Sequence, residues 1–114
     1  MATEEVEVPK KRLIIVGLTD CAPCVELEKQ VKSDDVSKAL LEKHGVDGKQ
    51  VKVMYADKDG KEGDEARNIC HSINHYSSPM LVIERDMPDG QRMFCKLTED
   101  LEEEDCSLYE ELPQ

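Results

Sequence analysis

The chain has 114 residues, 15 Lys and Arg against 26 Asp and Glu, a formal charge of −11, and five cysteines. That length suits one domain with one core and excludes two domains around a wide cleft. The acidity is uneven: the stretch 99–114 holds eight acidic residues and no basic ones, leaving residues 1–98 near balance at −3. Without clustered Lys and Arg, phosphate contact is disfavoured, so neither nucleic acid nor an anionic membrane surface is an expected partner. The apolar run Leu13 to Val16 is far short of the ~20 residues of a membrane helix. Met1 to Lys11 mixes acidic and basic residues and does not read as an export signal. The expected compartment is therefore a reducing cytoplasm, where a structural disulfide framework is not anticipated.

Residues 1–11 read as a flexible lead-in. Arg12 to Gly17 is short, β-branched and stopped by glycine, the pattern of a buried central strand. Thr19 and Asp20 offer cap chemistry, and a helix is predicted from Cys21 or Ala22 through Val31. Ser33-Asp34-Asp35 breaks it and caps a second amphipathic stretch ending at His44-Gly45. Gln50 to Ala56 alternates as a second strand. Asp57 to Gly60 is a turn, and Asp64 is placed as the cap of a short helix carrying Ala66, Ile69, Cys70 and Ile73. Met80 to Ile83 is another buried strand. Met87-Pro88-Asp89-Gly90 is the strongest turn signal and joins it to an alternating strand over Arg92 to Leu97. Leu97, Leu101, Leu108 and Leu112 are assigned to a closing acidic helix from about residue 99. The expected architecture is α/β: a four-stranded mixed sheet in the order β-α-β-α-β-β-α, with helices on both faces.

The chemistry concentrates in Cys21-Ala22-Pro23-Cys24, between a buried strand and a helix. A helix start carries unpaired N–H groups and partial positive charge, which stabilise a thiolate. Only the thiolate attacks a disulfide. Two intervening residues bring the second sulfur one turn on, within reach of the first, and Pro23 costs nothing in a first helical turn. Cys21, nearer the end, is expected to be the nucleophile, and Cys24 the resolving thiol. Asp20 opposes thiolate formation by its charge. Pro79 opens a strand that otherwise reads as central, where proline is poorly tolerated. A cis Ser78–Pro79 bond accounts for that placement, and an ordinary trans proline at a strand start is the alternative. Ser78 can then offer its backbone to an extended substrate segment.

These residues, with the element order, resemble the thioredoxin superfamily, specifically the thioredoxin and glutaredoxin group, over about Arg12 to Leu112. The resemblance implies a thioredoxin-like fold, cis Pro79, and a thiol–disulfide oxidoreductase that reduces protein or mixed disulfides through Cys21 and Cys24. It implies a disulfide-containing protein substrate, no resident cofactor, and regeneration by a thiol reductase or glutathione; the chain is expected to work as a monomer. Asp20 stands where thioredoxins carry Trp, and Ile15 where they carry a buried Asp. Leu97-Thr98-Glu99-Asp100 lacks the Gly-Gly pair of glutaredoxins.

Two other functions fit the residues: a non-catalytic interaction module, and a zinc domain using Cys21 and Cys24 with His71 and His75. The two histidines are otherwise expected on an exposed helix surface. Cys70 and Cys95 fall on apolar faces as core thiols, and Cys106 is expected to be an exposed free thiol on the closing helix.

Overall fold

The computed structural model describes residues 11–113. The expected lead-in lies outside them, except Lys11, which already begins the first strand. In chain order the elements are β1 (Lys11–Gly17), α1 (Ala22–Lys32), α2 (Asp34–His44), a 3-10 turn (Gly48–Gln50), β2 (Lys52–Tyr55), α3 (Lys61–Ile73), β3 (Met80–Asp86), β4 (Arg92–Leu97) and β5 (Glu103–Leu108). The strands form one five-stranded mixed sheet in the order β2-β1-β3-β4-β5. Only the β1–β2 pair is parallel; β1–β3, β3–β4 and β4–β5 are antiparallel.

Alternation along the central strands sorts the core into two layers. Ile14, Val16, Met80, Val82 and Phe94 pack with Ala66, Ile69 and Ile73 of α3. Leu13, Ile15, Leu81 and Ile83 pack on the opposite side with Val31 of α1 and Leu40 of α2. Helices thus cover both faces, and β1 and β3 are apolar at consecutive positions because each is buried on two sides. Each fully buried aliphatic side chain contributes about 1.5–3 kcal/mol of transfer free energy.

Local chemistry fixes the helix boundaries. Ser33 accepts the Val36 N–H at 3.4 Å and donates to the Gln30 carbonyl at 2.7 Å, so one serine ends α1 and starts α2. Gly45, at φ 73, closes α2 by donating to the Leu41 carbonyl at 2.9 Å; a left-handed residue is what this cap requires. Asp34 and Asp35 sit in the first turn of α2, with Lys43 and His44 in its last, both favourable to the helix dipole. α3 begins earlier than expected, at Lys61 after Gly60, and Asp64 is an internal residue paired with Arg67.

The main departure is at the C-terminal end. The sheet has five strands rather than four, and the final element is β5 rather than an acidic helix. Thr98 to Leu101 makes a tight turn: the Thr98 hydroxyl oxygen accepts the N–H groups of Asp100 and Glu102 at 3.2 and 3.1 Å, and Leu101 takes φ 63. No glycine or asparagine marks that left-handed position, so the turn had no sequence signal. The acidic residues of β5 find partners on β3, on β4 and just past α3. Glu104 meets Lys96 at 3.5 Å, Glu103 pairs with Arg85, and Asp105 meets His75 at 2.6 Å. The leucines assigned to a helical stripe separate: Leu97 is buried on the α1/α2 side, while Leu108 and Leu112 are exposed.

The same change corrects the expectation for two cysteines. Phe94 faces Ser107 and Lys96 faces Glu104, so Cys95 alone opposes Asp105 and Cys106. This is a β-bulge, with Asp105 at φ 54. It sets Cys106 beside Cys95, and the two are joined as a disulfide rather than being separate free thiols. Cys70 is a buried free thiol, as expected, and burial pushes its pKa up.

Candidate functional site

Cys21 follows β1 as the N-cap of α1, its backbone extended at φ −114, ψ 106. Its sulfur accepts the Cys24 N–H at 3.1 Å, and its carbonyl accepts the Val25 N–H at 3.2 Å. α1 has no acidic residue in its first turn and has Lys29 and Lys32 in its last. The sulfur therefore sits at the positive end of the helix dipole with a donor aimed at it. Cys21 is partly exposed, whereas Cys24 is 3% exposed. The two are joined as a disulfide. Access and a place facing the helix-start N–H groups belong to the first sulfur, and shelter to the second.

Two close approaches hold Cys24. The Ser78 hydroxyl lies 3.5 Å from its sulfur, and the Ser78–Pro79 bond is cis, as the position of Pro79 at the start of β3 led one to expect. From the other side comes Gly17, where an added Cβ would stand 2.8 Å from the Cys24 sulfur. That sulfur is tethered to Cys21 and has little room to yield. Gly17→Ala is expected to destabilise the oxidised protein by about 1–3 kcal/mol through overpacking, measurable as a shift in the denaturant midpoint. The loss should shrink after reduction, when the sulfur is free to move.

The loop before Cys21 is anchored by a residue that sequence reasoning passed over. The Asp57 carboxylate, just after β2, accepts the Thr19 hydroxyl at 2.5 Å and the Thr19 N–H at 3.1 Å. Asp20 turns through φ 56 between this anchor and the cysteine. The Thr19 hydroxyl, and secondarily its N–H, hold the Asp57 carboxyl below its ordinary range. A depressed carboxyl contributes stability above its unfolded pKa, lost as pH falls through the folded value. Thr19→Val is therefore expected to raise the Asp57 pKa, and its stability deficit should exist near neutrality and vanish in acid below the ordinary carboxylate range. Carboxyl NMR titration and acid denaturation check both. Asp57 lies in a turn-rich run, and only the strand register showed that it meets Thr19.

One hollow is lined by both cysteines, and a second is lined by Pro79. One, about 600 Å³, runs from Leu18 and Cys21 to Tyr55 and Lys58; Lys58 is the only basic side chain lining it, with its amine 4.9 Å over the Tyr55 ring. The other, about 520 Å³, is a mainly apolar groove between α1 and the sheet, lined by Leu27, Val31, Pro79, Leu97, Thr98 and Leu101. Leu18, Val25 and Tyr76 are exposed large apolar side chains. Neither Lys58 nor Tyr55 was singled out by sequence, since both are ordinary surface residues until the fold brings them beside Cys21.

The structure does not bring the zinc set together. His71 faces Glu110 at 3.6 Å, and His75, just past the end of α3, faces Asp105 at 2.6 Å. Among the described residues, the one group of three ligating side chains within reach of one another is Cys95, Glu103 and Cys106, and there both sulfurs are engaged in a disulfide. No described helix is long and apolar enough to cross a membrane. Comparisons of the chain with protein-family models, curated proteins and solved structures found no match.

Proposed function

We propose that the protein is a thiol–disulfide oxidoreductase of thioredoxin-like fold, in which Cys21 is the nucleophile and Cys24 the resolving thiol. The observation that carries this reading is the asymmetry at the start of α1. Cys21 is accessible, N-capping and hydrogen-bonded through sulfur, while Cys24 is buried one turn on. The strand order β2-β1-β3-β4, with helices on both faces and a cis proline opening β3, supports the thioredoxin-like assignment, with β5 in the place of a closing helix.

In the reduced protein the Cys21 thiolate attacks one sulfur of a target disulfide. A Cys21–target bond forms, the target disulfide breaks, and the released target sulfur takes a proton. Cys24 then loses its proton and attacks Cys21. The Cys21–Cys24 bond forms, the mixed disulfide breaks, and the second target sulfur leaves and is protonated. Two electrons pass to the target. Ile15, fully buried, occupies the strand position where a carboxylate would take the Cys24 proton. Ser78 is the polar side chain in contact with that sulfur, and its hydroxyl can pass the proton towards solvent. Pro79, next to Ser78, lines the apolar groove, where an extended target segment can lie. A disulfide-containing protein is the proposed substrate, and a thiol reductase or glutathione the proposed source of electrons.

The test is disulfide reduction in an insulin assay driven by dithiothreitol. The wild type should accelerate precipitation in proportion to its concentration. Equal rates with and without the protein would overturn the proposal.

A further inference from the structure

The second disulfide lies outside the site described above. Cys95 sits in the middle of β4 at 1% exposure, packed in the sheet. Cys106 is exposed, on the outer edge strand, at a bulge. The bond thus joins a walled-in sulfur to an open one. The Glu103 carboxylate lies 3.9 Å from the Cys106 sulfur, and Arg85 pairs with that carboxylate. That pairing offsets the charge of the carboxylate in contact with the sulfur. Within β5 every residue from Glu103 to Leu108 is exposed or half-exposed. Its apolar anchors lie beyond its two ends, Leu101 on the α1/α2 side and Tyr109 against Phe94 at 5.6 Å. The Cys95–Cys106 bond is what ties the middle of the strand to the core.

We propose that Cys95–Cys106 is a second thiol-exchange site, attacked only at Cys106 by low-molecular-weight thiols, and that opening it releases β5 from β4. A thiolate attacks the Cys106 sulfur. The new sulfur–sulfur bond forms there, the bond to Cys95 breaks, and Cys95 leaves as a thiolate and takes a proton. A second thiol attacks the adduct, leaves with the first as their disulfide, and Cys106 is protonated. Two thiols are oxidised and one protein disulfide is reduced. Without the cross-link, Leu101 and Tyr109 still hold the two ends, but the middle of β5 keeps only ladder bonds and surface ion pairs, which are weak, and loses its tie to the core.

Single variants separate the two sulfurs. With glutathione disulfide as the probe, the exposed Cys106 of Cys95→Ser should take up one glutathione, and the buried Cys95 of Cys106→Ser none, by intact mass and peptide mapping. The Cys21→Ser/Cys24→Ser background removes the other pair from the count. In that background, reduction should speed hydrogen exchange of the amides of residues 103–108 by at least about tenfold, with β1 and β3 unchanged. Should a variant fail to fold, peptide mapping of the unmutated protein after limited exposure to reduced glutathione and acid quenching gives the same answer: adduct on Cys106, none on Cys95. Adducts on Cys95, free thiols at both positions in protein never exposed to reductant, or unchanged exchange in 103–108 would each overturn the proposal. None of these results depends on catalysis at Cys21, so the two proposals fail separately.

Discussion

Cys21→Ser should reduce catalysed disulfide reduction to the background rate given by dithiothreitol alone. A hydroxyl at the start of α1 cannot exchange with a disulfide, and no other described thiol combines exposure with an N-cap position. Cys24→Ser should behave differently. Its Cys21 thiolate still attacks, but resolution is lost, so the mixed disulfide accumulates and is visible as a covalent adduct on non-reducing gels. The expected pair of outcomes is no adduct for Cys21→Ser and a stable adduct for Cys24→Ser. The opposite pattern would exchange the two roles. Identical rates for the wild type and Cys21→Ser would remove the oxidoreductase reading and favour a binding module that keeps the fold.

The largest stability effect is expected outside the candidate site, at Arg92. Glu84 of β3 is only 2% exposed, and its carboxylate is held by Arg12 and, at 3.2 Å, by Arg92. Arg92 also binds Glu65 of α3 at 3.0 Å and lies 4.2 Å over the Tyr109 ring. Burial alone would pull the Arg92 guanidinium down. The hydrogen bond to Glu65 and the charges of Glu84 and Glu65 outweigh that and hold it charged. Arg12 is largely exposed and still pairs with Glu84, so Arg92→Leu leaves the buried carboxylate with one of its two cations and takes the partner from Glu65. Breaking such a cluster from one side costs about 3–5 kcal/mol, readable as a fall in the urea midpoint at unchanged slope. Adding Glu84→Gln should recover part of the loss, because the under-compensated buried charge is gone. A loss in Arg92→Leu below about 1 kcal/mol, the scale of an exposed pair, would contradict this account of Glu84.

Much of the fold was legible because its signals are local. The strand over Arg12 to Gly17, the Ser33 break, the Gly45 stop and the Pro88-Gly90 turn each depend on neighbours in sequence, and each stands where the pattern put it. Cys21 at a helix start was legible for the same reason. β5 was not. Glu103 to Asp105 favour helix by composition, and what meets them in the strand is Lys96 and Arg85 across the sheet and His75 just past α3. The turn before them relies on a left-handed Leu101, a residue with no such preference. The Cys95–Cys106 bond inherits that blindness, since it needs both the hairpin and the bulge. At the candidate site, Thr19–Asp57 and Cys24–Ser78 are contacts across 38 and 54 residues, which only the strand register creates.

The proposed chemistry requires one sulfur to be an anion at neutral pH because a helix start points at it. The most direct measurement is the ionisation of Cys21 in the reduced protein, followed by the pH dependence of its alkylation, with Cys24→Ser isolating the signal. The account predicts a pKa clearly below the ordinary thiol value of about 8.5. A value at or above it would contradict the claim that the start of α1 activates this cysteine.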